Sequence, residues 1–221
     1  GAPVGVGADV SAWSFHPRKL LTTGEGGMLT TNNEQWAQRA RRLREHAMDV
    51  SAADRHGSTL APQESYGEIG YNFRMTDMQA AVGLVQLSKL EQMVVRRREL
   101  AARYQQELAG VPGLRFVQDP EYGTSNYQSF WIEVSRPFRL DREGLLAKLA
   151  EDGISARRGI MASHLQPAYA GHSGYTVALP VTERLTANTL ILPLYHDLRE
   201  EEQDRVISSV LSASALTTAG A

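Results

Sequence analysis

The sequence predicts a mixed α/β chain built as two bodies joined by a long helix, and three observations carry that reading. Two short apolar runs, residues 10–15 and 27–31, flank a glycine-rich turn, the arrangement of paired strands. A helical pattern opens at Thr76 and runs to about Leu108. At roughly 1.5 Å per residue it would reach about 50 Å, more than a small domain is wide, and a helix that long usually bridges two bodies. Beyond Val111-Pro112-Gly113, strand-like runs alternate with helices, partly as hairpins, which points to a small α/β domain with a mostly antiparallel sheet. The expected limits are 1–75 for the first body, 76–110 for the connecting helix, 111–211 for the second body and 212–221 for a frayed, disordered tail.

Each element has a local reason. VSAWSF at 10–15 reads as a buried strand and GMLTT at 27–31 as its partner, with Gly24-Glu25-Gly26-Gly27 turning between them. Residues 33–47 read as an amphipathic helix capped by Asn33, because Trp36, Ala40, Leu43 and Ala47 recur at spacings of four, three and four. Residues 48–65 lose periodicity and gather Ser, Asp, Gly and Pro, the composition of a loop. Thr76 caps the long helix, with Met78, Val82, Val85 and Met93 on its buried side. Strands follow at about 114–117 and 129–134, a helix at 141–152 and a strand near 154–157. Next come a loop rich in Gly, His and Tyr, a helix near 182–187, a strand at 190–192 and a helix at 200–211.

Composition narrows the function classes. At 221 residues the chain can bury a sizeable core, and 42% hydrophobic with 22% charged residues is ordinary for a globular protein. A net charge of −2 argues against a general nucleic-acid or membrane-surface binder. The absence of Cys excludes disulfides, thiolate nucleophiles and cysteine metal sites. The six His show no H-x-x-x-H or H-E-x-x-H pattern, so no metal site is expected. No apolar run approaches the roughly 20 residues of a bilayer span and no basic-then-apolar leader opens the chain, so a cytoplasmic address is expected. Residues 1–9, GAPVGVGAD, read as an internal loop more than as a natural start. The turn at Gly24 fits neither a dinucleotide fingerprint nor a P-loop, and the arginine runs at 39–44 and 96–98 read as solvated helix faces.

Lysine usage supplies the first chemical lead. Of the 23 basic residues only Lys19, Lys89 and Lys148 are lysine. A chain that meets its need for positive charge with arginine keeps lysine where an amine is wanted, since lysine can lose its proton and attack a carbonyl. Lys19 stands between an apolar strand and a glycine turn, with Pro17 bending the approach, a plausible setting for a Schiff-base lysine. Pyridoxal 5'-phosphate (PLP) would ask for three things here: an amine for its aldehyde, donors for its phosphate and an acid for its ring nitrogen. Lys19, desolvated, would supply the first, and the Ser14 hydroxyl part of the second. Fully extended, the segment would hold Ser14 and Lys19 about 17 Å apart, so Pro17 has to fold it back. No Asp or Glu stands out for the ring nitrogen.

Two longer motifs sharpen this. Residues 14–27, SFHPRKLLTTGEGG, closely resemble the lysine segment of the DegT/DnrJ/EryC1/StrS aminotransferases, fold-type I enzymes that place amino groups on nucleotide-linked sugars. Residues 70–83, GYNFRMTDMQAAVG, running on to Gln86-Leu87, match a second family motif at its usual place. Weaker matches follow in order: Gly153-Ile154, the segment 161–167 containing His164, and 179–183 leading to Leu192-Pro193-Leu194. The resemblance implies a homodimer using PLP, with the chain forming the C-terminal part of the enzyme. That part is the lysine end of the large cofactor domain, the long helix and the small α/β domain. The segment carrying the phosphate-binding helix, the stacking aromatic and the ring-nitrogen aspartate would precede it.

By the same resemblance Lys19 would form the internal aldimine and shuttle the proton, and Ser14 would bind the cofactor phosphate. Asn72 would reach the partner subunit's phosphate, while Arg74 and His164 would contact the nucleotide-sugar. His16 would line the site without a catalytic role. The implied reaction moves an amino group from an amino acid such as glutamate to a keto-sugar nucleotide. A PLP- or PMP-dependent sugar dehydratase of the same fold is the nearest alternative, and Lys19 counts against it because those relatives usually carry histidine there. A non-catalytic regulatory or dimerisation fragment is a second alternative. A Schiff-base aldolase would leave the second motif unexplained.

Overall fold

In the computed structural model, residues 1–49, 63–169 and 178–214 are described. The loop expected at 48–65, the Gly/His/Tyr-rich loop and the tail at 212–221 therefore lie largely outside the described residues. The chain divides into two compact units, Gly1–Leu90 and Glu91–Ala221. The division falls inside the long helix rather than at either of its ends.

In the first unit, β1 (Ser11–Ser14) and β2 (Gly27–Thr30) form an antiparallel ribbon with Ser11 opposite Thr30 and Ser14 opposite Gly27. The Trp13 indole N–H donates to Thr30 Oγ1 across it at 2.9 Å. These strands are not buried as expected: Trp13, Met28 and Leu29 stay exposed, because among the described residues the two strands pair only with each other. Helix α1 (Glu34–Leu43) is capped by Asn33, whose side chain accepts from the Trp36 N–H at 3.2 Å. It stops short of Ala47, since His46 and Ala47 turn left-handed at φ near 60°. Ala47 is buried there all the same.

Helix α2 (Asp77–Glu107) runs 31 residues, about 46 Å, as its unbroken pattern predicts. Its start is a reciprocal capping box. Thr76 Oγ1 accepts from the Gln79 N–H at 3.3 Å, and Gln79 Oε1 accepts from the Thr76 N–H at 3.0 Å. Of the four residues assigned to its buried side, only Met93 is buried; Met78, Val82 and Val85 are exposed. Apolar residues ring this part of the helix on all sides, Leu84 and Leu87 included, a pattern typical of helices enclosed by other elements. Among the described residues of the first unit, none encloses it.

The second unit is a four-stranded antiparallel sheet in the order β3 (Leu114–Phe116), β4 (Phe130–Val134), β6 (Thr189–Leu192), β5 (Arg157–Arg158). Phe130, Ile132 and Val134 alternate onto one face with Leu190 and Leu192. They pack there with Tyr104 and Leu108 of α2, Leu145 and Leu149 of α3 (Arg142–Glu151), and Val206, Ile207 and Val210 of α5 (Glu200–Ser214). On the other face Glu133 meets Arg115 of β3 and Arg184 of α4 (Pro180–Asn188). The arginine run 96–98 is not wholly the solvated face expected of it: Arg97 is buried and donates to the carbonyls of Tyr127 and Gln128, ahead of β4.

Candidate active site

The first motif folds as a closed turn. Lys19 N–H donates to the His16 carbonyl at 2.9 Å, and Pro17 occupies the corner that a proline's fixed φ suits. The segment thus folds back between Ser14 and Lys19, as their separation required. His16 works within the turn: its backbone N–H donates to Ser14 Oγ at 3.4 Å, and its Nδ1 accepts from the Arg18 N–H at 3.2 Å. Ser14 Oγ acts there as an acceptor, so its hydroxyl hydrogen stays available to a phosphate oxygen. Lys19 itself is exposed, so the desolvation expected of it is not supplied by the described residues around it.

Downstream, hydroxyls and backbone hold the loop. Thr22 Oγ1 and the Thr23 N–H both donate to the Phe15 carbonyl, at 2.9 and 3.2 Å. Thr23 Oγ1 donates to the Glu25 carbonyl at 2.8 Å, and the Phe15 N–H to the Gly26 carbonyl at 2.9 Å. Gly26 is needed twice over. Its φ of 153° lies near the edge of what other residues adopt, and a Cβ there would stand 2.6 Å from Thr23 Oγ1 and 3.0 Å from the Met75 methyl.

The second motif adds a strand-like segment. Tyr71 N–H donates to the Leu43 carbonyl at 2.7 Å, His46 N–H to the Tyr71 carbonyl at 2.8 Å, and Phe73 N–H to the Arg44 carbonyl at 2.8 Å. Asn72 forms a bridge with Glu45 and is exposed. Gly70 passes so close to His46 and Ala47 that a Cβ would collide with their backbone. Tyr71 and Phe73 stack with ring centroids 5.0 Å apart, and Arg74 pairs with Glu45 at 3.6 Å.

His164 lies in the second unit, in the 3₁₀ turn Ser163–Leu165. Its Nε2 sits 3.0 Å from Glu183 Oε1, an oxygen that also accepts the Leu179 N–H at 3.0 Å at the start of α4. Those two contacts, the backbone N–H first and the imidazole second, hold the Glu183 carboxyl below the usual carboxylate range. With Nε2 committed to Glu183, Nδ1 is the nitrogen His164 can offer a ligand.

Of the residues expected in a site, Ser14 and Lys19 share one turn, Asn72 and Arg74 share one short segment, and His164 belongs to the other unit. Sequence reasoning missed Gln79, Glu45 and Glu183. Only the first had a legible signal, the T-x-x-Q spacing of a capping box. For the cofactor, the described residues fit two of the three demands, an amine and a hydroxyl donor on one turn. Among the described residues there is no group of three or more His, Asp or Glu arranged to hold a metal ion. No described helix is long and apolar enough to cross a membrane.

Comparison with known proteins agrees over nearly the whole chain. The profile of the DegT/DnrJ/EryC1/StrS aminotransferase family matches residues 1–211. The aminotransferase TlmJ from Streptoalloteichus hindustanus is similar at 33% identity and a TM-score of 0.79, over 93% of this chain and 52% of TlmJ. Helicobacter pylori PseC, an aminotransferase involved in the biosynthesis of pseudoaminic acid, matches at 25% identity and a TM-score of 0.83, over 94% of this chain and 53% of PseC. Spr1654 from Streptococcus pneumoniae, in its PLP form, matches at 26% identity and a TM-score of 0.82, over 97% of this chain and 54% of its own. The chain thus spans about half the length of the solved structures it matches.

Proposed function

The chain belongs to the DegT/DnrJ/EryC1/StrS aminotransferase family, and from that premise we propose that its protein transfers an amino group from an amino acid, glutamate in the simplest case, to a keto-sugar nucleotide. The fold is that of the fold-type I sugar aminotransferases, and PLP is the cofactor of this family. The single observation that carries the reading is the Ser14–Lys19 turn, which holds an exposed amine and a free hydroxyl donor on one closed backbone loop. When bound, PLP supplies an aldehyde that carries the amino group and a ring that withdraws electrons from the reacting carbon.

The chain's own residues then have distinct tasks. Lys19 Nζ holds the cofactor and, once released, moves the proton at the reacting carbon. Ser14 Oγ donates to a phosphate oxygen. Asn72, on an exposed segment fixed by three backbone hydrogen bonds, reaches the phosphate of the partner subunit in a homodimer. Arg74, balanced by Glu45, and His164, balanced by Glu183, take the nucleotide-sugar, the first as a cation for phosphate oxygens. A cytoplasmic protein is in keeping with nucleotide-sugar substrates.

The test is borohydride reduction of the native protein with PLP, followed by peptide mapping. The expected outcome is one PLP adduct on Lys19, absent from Lys19→Ala, together with glutamate-dependent amination of a keto-sugar nucleotide. A native protein that stays colourless and unlabelled at saturating PLP would overturn the reading.

A further inference from the structure

Four hydrogen bonds of Gln79 belong to two different structures. Its backbone N–H and its side-chain Oε1 complete the capping box with Thr76, the Oε1 accepting from both the N–H and the hydroxyl of Thr76 at 3.0 Å. Its Nε2 points the other way and donates to the Glu25 carbonyl at 3.0 Å, 54 residues back in the chain. That carbonyl is the one Thr23 Oγ1 also holds, in the middle of the loop that follows Lys19. One turn further along α2, Gly83 lies so close that a Cβ would stand 3.0 Å from the Thr23 methyl. Thr23 is buried at this contact.

We infer that Gln79 is a positioning residue for the lysine turn, fixing through the Glu25 carbonyl the loop that presents Lys19 to the cofactor. The inference rests on the reading of Lys19 as the cofactor lysine. A primary amide is required because the position needs an acceptor toward Thr76 and a donor toward Glu25 at once, and Gln is the side chain of that length with both. Glutamate satisfies a capping box equally well but has no donor for a carbonyl at neutral pH. Gln79→Glu therefore separates the two roles, keeping the helix start while releasing the loop.

The experiment compares native protein, Gln79→Glu and Gln79→Ala by amide hydrogen exchange and by borohydride trapping with PLP. In Gln79→Glu, the segment 15–27 should exchange roughly three- to tenfold faster, as expected for loss of one ordinary hydrogen bond, while the amides of 80–84 stay at the native rate. Labelling of Lys19 should slow by a comparable factor. Gln79→Ala should quicken exchange in both segments. Unchanged exchange at 15–27 in Gln79→Glu would overturn the inference, as would faster exchange with undiminished Lys19 labelling. Failure of the native protein itself to label Lys19 would instead overturn the proposed function.

Discussion

Replacing Glu133 with glutamine tests how α4, the helix that carries Glu183, is held to the sheet. The Glu133 side chain is 5% exposed, accepts from Arg115 Nε at 2.7 Å and from Arg184 Nη1, and lies 2.6 Å from Arg115 Nη2 in an ion pair. Burial alone would raise its pKa, but the hydrogen bonds from Arg115 and Arg184 outweigh that and leave the pKa below the usual carboxylate range. Breaking a buried ion pair costs about 3–5 kcal/mol when the remaining charge is trapped. Here the Arg115 and Arg184 side chains are 55% and 47% exposed and return to water, so the cost falls to about 2 kcal/mol. Because the folded pKa is depressed, this stabilisation is full above the ordinary carboxylate pKa and is lost as pH falls through the lowered value. The assay is urea unfolding read at Trp131, with Trp13 and Trp36 replaced by Phe. Glu133→Gln should lower the unfolding free energy by about 2 kcal/mol at pH 7.5, and the difference should shrink by pH 3.5. A penalty under about 0.5 kcal/mol at neutral pH, or one that persists undiminished in acid, would refute the reasoning.

Three further outcomes follow from the geometry. Gly70→Ala should destabilise the first unit by at least about 1–3 kcal/mol, since its Cβ would meet the backbone of His46 and Ala47, and limited proteolysis of residues 43–74 should show it. If His164 binds a nucleotide-sugar as proposed, Glu183→Gln should raise the KM for that substrate severalfold with kcat little changed, because the carboxylate paired with His164 is gone; equal losses in both would mean His164 is not a binding group. Glu202, pulled down to about 2 by the Arg199 side chain and then the Arg199 N–H, should titrate near that value by NMR, and Arg199→Ala should return it toward the ordinary range. The hold of Glu202 on the first turn of α5 is therefore present at neutral pH and fades as pH falls from about 4.5 toward 2.

The second unit was legible in the sequence because its periodicities and its partners lie in the same stretch of chain. The alternation of Phe130, Ile132 and Val134 meets Leu190 and Leu192, and the helices that cover them are all within residues 91–214. In the first unit the same reasoning assigned Met78, Val82 and Val85 to a buried side, and they are exposed. Periodicity reports that a face wants covering, not what covers it. The end of α1 was misread for a different reason: the apolar spacing carries on to Ala47, but the backbone turns left-handed at His46 and Ala47, where Gly70 passes close by, which no local pattern reveals.

Lys19 and Ser14, the residues proposed to hold the cofactor, sit in the unit with the fewer buried side chains among the described residues. Within Gly1–Leu90 the buried side chains among the described residues are Thr23, Ala47 and Met48, and the first two lie at joints where one motif touches another. Thr23 sits under Gly26 and Gly83, and Ala47 lies against Gly70. The lysine turn is therefore held by hydrogen bonds and close backbone approaches, from Thr22, Thr23 and Gln79, rather than by interchangeable apolar contacts. That explains why its residues read so clearly in the sequence. A core position accepts several hydrophobes of similar volume, whereas a glycine under a backbone or an amide bonded at both ends accepts almost nothing else. The precision of the motif around Lys19 is the sequence trace of a turn positioned by polar geometry.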